Sequence, residues 1–586
     1  MTSRSIKYFL GIAAVVLIAM SIGTAQGADL EYAVRLNVPE RFRPLLENNL
    51  RVVRQLKGDI SERRFERLAE RAEAEIRELL ATEGYFSPAV KLTMLRSGNT
   101  RTASYEVEPG EPSRVTALEL QFEGAVSEDR WDNAARRAAL RASWPLKVGE
   151  RFRQPLWDEG KTGLLRALVE ERYPLAQISE SDARVTPDAR SVQLRVIVKS
   201  GPAVTLGELR ISGLERYPES LVRDLNPVVP GTPYSQKKLD DFQRDLLETT
   251  YFRSAFVTAE LDASRPNNAP ILVRVAEAPR SRVRLGVGYS TDVGAKIETV
   301  YTRRAFFGTP WQWSSGLRIA QREQAAFSEV LTPRNAQGHR YGVGALFDRT
   351  DIQNETTTSI SALFRRLTPG RERDLEIGLA PIYEKKEIGD STTEHLISVP
   401  AYASWTWRRV DDLINPRKGW LLNLQTAGAL AGVISDESFL NGYGKLAGFL
   451  PVGERDTLIA RVELGRTWTS DPRQVPSRYL FRTGGSTTVR GYAYDSLGVD
   501  VNGAVTGGRV LGVASAEFVH MFTAEYGMAA FVDAGDAADS MHELSAKVGY
   551  GIGARWKSPI GPLALDVAYG RDVQEYRVHF TVGYSF

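Results

Sequence analysis

A single arginine stands in a glycine-bearing stretch, Gly484-Gly485-Ser486-Thr487-Thr488-Val489-Arg490-Gly491-Tyr492, and a carboxylate stands in a second pattern, Phe531-Val532-Asp533-Ala534-Gly535. The chemistry these types offer is docking rather than bond-making. A guanidinium presents its donors in a flat fork that a carboxylate accepts in pairs, so Arg490 and Asp533 can hold one segment against another. The glycines allow tight backbone geometry around Arg490. On a strand, Phe531 and Asp533 share one face and Val532 takes the other. Glu517, in the preceding apolar run, is a second acidic candidate.

Bond-making chemistry finds little to work with. The chain has no Gly-x-Ser-x-Gly, no His-Glu-x-x-His and no cysteine, and its five histidines (His339, His395, His520, His542, His579) lack ligand spacing. We therefore assign no catalytic residue, no metal, no cofactor and no enzymatic activity. With 75 basic against 72 acidic groups and a net charge of +3, no global bias points to nucleic acid.

Both motifs lie in a half of the chain dominated by alternation. From Arg282 onward, amphipathic strand candidates follow one another between turn signals, and about sixteen can be placed, with fourteen or eighteen as neighbouring counts. The last runs from Tyr576 to Phe586 with Tyr576, Val578, Phe580, Val582, Tyr584 and Phe586 on one face and Arg577, His579, Thr581, Gly583 and Ser585 on the other. A closed antiparallel barrel with a lipid-facing and a lumen-facing side explains an even series of such strands. Trp311 with Trp313 and Trp405 with Trp407 fit an aromatic girdle. One connection, about 470–509, is far longer than the rest and carries Arg490. Loops of that length without structure of their own are commonly functional. In a wet lumen its ion pair is worth only about 1 kcal/mol, which makes its expected role positioning.

The first half is organised differently. Arg4 and Lys7 precede an uncharged run from Tyr8 to Ile22 and a small-residue stretch to Ala28, the pattern of a secretory signal peptide over 1–27. Three segments then repeat one order of parts, over 28–112, 113–201 and 202–280. Each has a short strand, helical stretches, an aromatic punctuation (Tyr85-Phe86, Tyr173-Pro174, Tyr251-Phe252) and two closing strands. Phe65, Leu68, Ala69, Ala72, Ile76, Leu79 and Leu80 recur at helical intervals behind Ser61 as N-cap, and Leu239, Phe242, Leu246 and Leu247 do so behind Ser235.

These modules resemble POTRA (polypeptide-transport-associated) domains, β-α-α-β-β units found in tandem before certain outer-membrane barrels. The Val489-Arg490-Gly491-Tyr492 tip, the Phe531-x-Asp533-x-Gly535 strand and Asn415-Pro416-Arg417-Lys418-Gly419 resemble signature motifs of the superfamily that contains BamA, TamA and the two-partner-secretion transporters. The resemblance implies a fold of three periplasmic modules followed by a barrel over 281–586. It also implies that the long loop folds into the lumen, with Arg490 docked on Asp533, Phe531 beside it and Glu517 joining. The module count resembles the TamA branch. The expected function is then insertion of autotransporter-type clients into the outer membrane of a Gram-negative bacterium. Expected partners are unfolded client proteins, outer-membrane lipid and a TamB-like protein anchored in the inner membrane. A BamA-like insertase, a two-partner-secretion translocator and an inter-membrane phospholipid carrier are the alternatives. The expected route is a lateral seam between first and last strands, marked by Gly286 and Gly288 on one side and Tyr576, Phe580 and Phe586 on the other; glycine weakens a strand interior.

Overall fold

The computed structural model describes residues 30–56, 60–389, 392–432, 434–558 and 561–582. The expected signal peptide and Phe586 lie outside the described residues. The chain forms two compact units. One runs to Thr205 with Gly231–Gln236 and Leu261–Ala269; the other holds Leu206–Pro230, Lys237–Glu260 and everything from Pro270 onward.

The repeat read from the sequence is visible as three three-stranded sheets of one topology, each with the third strand in the middle. In the first, Glu31–Asn37 runs parallel to Thr100–Glu108, which pairs antiparallel with Ala89–Ser97. The helix Glu62–Thr82 covers that sheet because Phe65, Ala69, Ala72, Ile76 and Leu80 fall on one face and are fully buried. Ser61 occupies its N-cap without a side-chain bond. The three punctuating tyrosines, Tyr85, Tyr173 and Tyr251, are each buried, and such large amphipathic rings seal a small core. Leu247 departs from expectation: Leu239, Phe242 and Leu246 are buried, whereas Leu247 is 42% exposed on the far side of its helix.

Apart from a small two-stranded hairpin, the remaining described strands form a single antiparallel sheet from Ser281–Ser290 to Glu575–Val582. Its eighteen segments make sixteen staves, because two staves are broken. Arg373–Leu379 and Ile382–Ile388 both pair with Glu355–Thr368, and their partners Thr392–Ser398 and Ala401–Val410 are broken likewise. Pro381 and Pro400 sit in the breaks, where a residue without an N–H interrupts a ladder at least cost. The sequence had shown Leu375–Tyr383 and His395–Trp407 as unbroken. Outward positions such as Leu458, Val462, Leu464, Ile552 and Val567 are exposed, and inward ones alternate with them. Trp405 stacks on Trp407 and Tyr526 on Trp556 at the strand ends nearer the third module.

Most of the third module belongs to the same unit as the barrel. Tyr251 Oη donates to the Pro310 carbonyl at 2.5 Å, and Arg371 pairs with Asp241 at 3.0 Å. Glu277 closes the module just before the barrel begins. Its carboxylate accepts from the backbone N–H groups of Glu215, Arg216 and Tyr217 at 2.9, 2.8 and 3.1 Å, and from Arg216 Nε at 2.5 Å. Burial pushes this carboxyl up, but the three N–H groups and the guanidinium outweigh it and hold the group below the ordinary glutamate range. A depressed carboxylate stabilises the fold above its unfolded pKa, and that contribution is lost as pH falls through the folded pKa. Glu277→Gln in the full chain is therefore expected to destabilise this module by about 2 kcal/mol at pH 7. Hydrogen exchange at Arg216 and Tyr217 reads the loss, and the gap to wild type closes below the ordinary glutamate pKa.

Candidate functional site

The 470–509 connection is not structureless. It contains two short 3-10 turns, Pro472–Gln474 and Ser477–Tyr479, and a small hairpin of Val499–Val501 with Ala504–Thr506. It is also fixed along its length. On one side of the lumen, Lys386 Nζ donates to the carbonyls of Arg473 and Val475 at 3.1 and 2.7 Å. Glu384 accepts from Ser477 N and Oγ, both at 2.8 Å. Arg482 pairs with Glu355 at 3.3 Å, and Gln353 Nε2 donates to the Tyr494 carbonyl at 3.0 Å. Lys386 and Glu384 are 3% and 2% exposed; they lie 3.7 Å from each other, and the loop supplies the hydrogen bonds that satisfy both.

On the other side lies the arginine site. Arg490 Nε and Nη2 donate to the two oxygens of Asp533 at 2.7 and 3.0 Å, the flat fork read from the sequence. The Arg490 backbone N–H adds a bond to the same carboxylate at 3.1 Å. Nη1 reaches Glu517 at 2.7 Å and Asp566 at 3.0 Å. The guanidinium carbon lies 3.3 Å from the centroid of the Phe531 ring, a cation–π contact. Arg555 bonds Glu517 at 2.8 and 3.0 Å and also contacts Asp566, so two guanidinium groups share three carboxylates. Ser515 Oγ donates to Asp533 at 2.6 Å.

The expectation of a solvated pair does not hold. Arg490 is 2% exposed and Asp533 0%, because the loop tip is pressed onto the wall by Val489, Tyr492, Leu511, Val513 and Ala537. Breaking a buried pair leaves an uncompensated charge, which costs several kcal/mol rather than the surface value.

The wall is shaped to receive the tip. Gly549, Gly551 and Gly553 occupy alternate inward positions of the Lys547–Ser558 strand. A side chain at Gly549 would put its Cβ 1.7 Å from the Arg490 carbonyl oxygen, and one at Gly551 would meet the Phe531 ring. Gly535 serves Val489 in the same way. Gly491 lies at φ +94° against the backbone of Tyr569 and Gly570, a conformation and an approach open only to glycine.

The tip also touches both lips of the sheet. Ser486 N donates to Asp292 at 3.2 Å and Ser486 Oγ does so at 2.5 Å; Asp292 sits in the turn after the first strand. Gly491 N donates to His579 Nε2 of the last strand at 2.9 Å. Among the described residues, no backbone ladder joins Ser281–Ser290 to Glu575–Val582. Among the described residues, one hydrogen bond joins the last strand to the turn that follows the first, Phe580 N to Thr291 Oγ1 at 3.3 Å. Gly286 and Gly288 lie on the first strand, whose outward Val283, Leu285 and Val287 are 59%, 77% and 86% exposed, and Tyr576 is 77% exposed opposite.

Asp566, Arg555, Asp292, His579 and the glycine strip were not singled out from the sequence. The strip carried a signal, since Gly549-Tyr550-Gly551-Ile552-Gly553 empties one face of a strand. Arg555, Asp566 and His579 had only their inward parity, which many lumen residues share. The buried network predicts that Arg490→Ala costs the docked loop about 3–5 kcal/mol. Arg490→Lys, without a fork, recovers only part of it. Gly549→Val should expel the tip with Arg490 intact. Hydrogen exchange or limited proteolysis over 484–497 reads all three, with heat-modifiable mobility reporting the barrel.

A family model described as "Omp85 superfamily domain" matches residues 281–586, and one described as "POTRA domain TamA domain 1" matches 43–109. The outer membrane protein assembly factor BamA of Neisseria meningitidis serogroup B is 20% identical over 459 residues, covering 72% of this chain and 54% of that protein. BamA of Neorickettsia risticii is 22% identical over 423 residues, covering 65% and 55%. The chain thus spans about half the length of the curated relatives it matches. A crystal structure of BamA from Haemophilus ducreyi lacking POTRA domains 1-3 superposes with a TM-score of 0.63 at 17% identity, over 81% of this chain and 100% of that one, a likeness of fold.

Proposed function

This chain belongs to the Omp85 superfamily, and on that premise we propose that it inserts unfolded client proteins into the outer membrane of a Gram-negative bacterium through the seam between its first and last strands. The observation that carries this reading is the contrast within one sheet. Neighbouring strands elsewhere share full ladders, whereas the two lips are joined, among the described residues, by one backbone-to-side-chain bond and by their common contacts to the loop tip. Unpaired strand edges are templates for an incoming strand. The lips can part without breaking a ladder between the described segments.

In this mechanism the modules lie in the periplasm and receive the client. The third, held to the barrel through Tyr251 and Asp241, hands it to the seam. Arg490 fixes the loop tip, and the tip ties Asp292 of one lip to His579 of the other, so Val489, Arg490, Gly491, Tyr492, Phe531, Asp533, Gly535 and Glu517 position the gate rather than act on the client. Gly286, Gly288, Tyr576 and Phe580 belong to its lips. The modular front half and the match to a TamA-type first module favour a TamA-like role, with autotransporter-type clients and a TamB-like partner anchored in the inner membrane. A two-partner-secretion translocator passes its client through the lumen; the loop fixed to both walls here opposes that route. No enzymatic activity and no nucleic-acid partner are proposed.

The chain has no cysteine, so one can be placed in each lip, at Val287 and Val578, without background. Crosslinking the pair with a short bifunctional maleimide should abolish insertion of an autotransporter client into reconstituted vesicles, while either single variant stays active. Full activity with the lips crosslinked overturns the seam route.

A further inference from the structure

The turn after the second barrel strand spends conformational energy to expose an aromatic ring. Phe306-Phe307-Gly308-Thr309 closes with Thr309 N donating to the Phe306 carbonyl at 3.0 Å, and its central residues lie at φ +50° and +75°. That is a turn in which both central residues take positive φ, a demand ordinarily met by Asn-Gly or Gly-Gly. A phenylalanine there is strained. Phe307 gains no burial in return, since it is 87% exposed. Gly308 shows the turn is otherwise built for tightness, so the aromatic at its neighbour calls for an explanation outside the fold.

The surroundings supply one. Phe306 lies 4.3 Å from Phe307 and 5.5 Å from Trp313, which in turn meets Tyr301, so the exposed ring crowns an aromatic cluster on the barrel wall. Trp311, beside it, is 45% exposed. Arg303, exposed on the same outward face as Tyr301 and Trp313, donates its Nε to the Ala305 carbonyl at 3.2 Å, just before the turn. The third module touches the same connection at Pro310 and at Gln312, yet leaves Phe307 uncovered. An apolar tip with a cation beside it and an aromatic belt below matches a bilayer's edge: acyl chains for the ring, a phosphate for the arginine. The connection joins the second and third strands, next to the weakly held first lip.

We propose that the Phe306–Thr309 turn is a lipid-inserting wedge, which seats Phe307 among the acyl chains of the periplasmic leaflet beside the seam, with Arg303 meeting a phospholipid phosphate. The proposal rests on the membrane placement given above. The test separates the two. Three single-cysteine variants of the full chain, Phe307→Cys, Val462→Cys on the outward wall and Asp188→Cys on a module turn, are labelled with an environment-sensitive nitrobenzoxadiazole dye. They are then placed in nanodiscs of phosphatidylethanolamine and phosphatidylglycerol, with or without doxyl-labelled acyl chains. Quenching at 307 should match that at 462 and exceed that at 188 at least threefold. Quenching at 462 but not at 307 overturns the wedge, including the case in which a protein partner covers the turn. No quenching at 462 overturns the membrane placement, and the wedge with it.

A second variant guards against a purely structural role. Phe307→Asn suits the positive φ better and should leave thermal stability unchanged or raised. It should slow spontaneous insertion of the full chain into vesicles of the same lipids at least threefold. An unchanged rate with lowered stability would assign Phe307 to the fold and overturn the proposal.

Discussion

The rest of the barrel is arranged around one constraint: a guanidinium that is almost wholly removed from water must find its counter-charges on the wall. Arg490 meets Asp533, Glu517 and Asp566, and Arg555 shares the last two, so five ionised groups form one buried cluster in which every carboxylate has more than one donor. Such a cluster tolerates no partial version. Remove one member and the others keep a desolvation cost without the partner that offset it. The surrounding sequence follows from that demand. Glycines line the neighbouring strand because the loop backbone must approach it directly, and apolar residues on both sides of the tip exclude the water that would weaken the attraction.

Rigidity is thereby distributed unevenly round the sheet. The loop crosses the lumen and is fixed on the far wall by Lys386 and Glu384, so the interior is braced between opposite sides. The strands bearing the arginine site share long ladders with their neighbours. Among the described residues, the first strand pairs on one side and shows both faces to the surroundings. A sheet stiff nearly everywhere will yield at its weakest junction, and the sequence has placed that junction where loop, first turn and last strand meet.

Much of this was legible in the residues. Alternation gave the sixteen staves, because a strand half in lipid and half in a lumen cannot avoid a period of two. Helical spacing gave the faces over Phe65–Leu80, and the recurring tyrosines marked three cores. The Arg490–Asp533 pairing was legible through its motifs. What failed to show depended on depth and three-dimensional proximity. The solvated reading of Arg490 treated the lumen as open, whereas Val489 and Tyr492 of the tip pack with five further buried apolar residues. Asp566 and Arg555 lie 76 and 65 positions from Arg490, and nothing local distinguishes them from other inward charges. The breaks at Pro381 and Pro400 were marked by proline, but alternation continued across them and outweighed the signal. Leu247 obeyed helical spacing and still faced outward, since its neighbour Leu246 had taken the core position.

The partners of Arg490 also tie the loop to the end of the chain. Asp533, Glu517 and Asp566 lie on three different strands, all later in the chain than the arginine, and His579 lies on the last of all. The tip therefore has no complete site without the C-terminal strands. The cluster is complete only with those strands in place, so the seated loop and the paired C-terminal strands depend on one another.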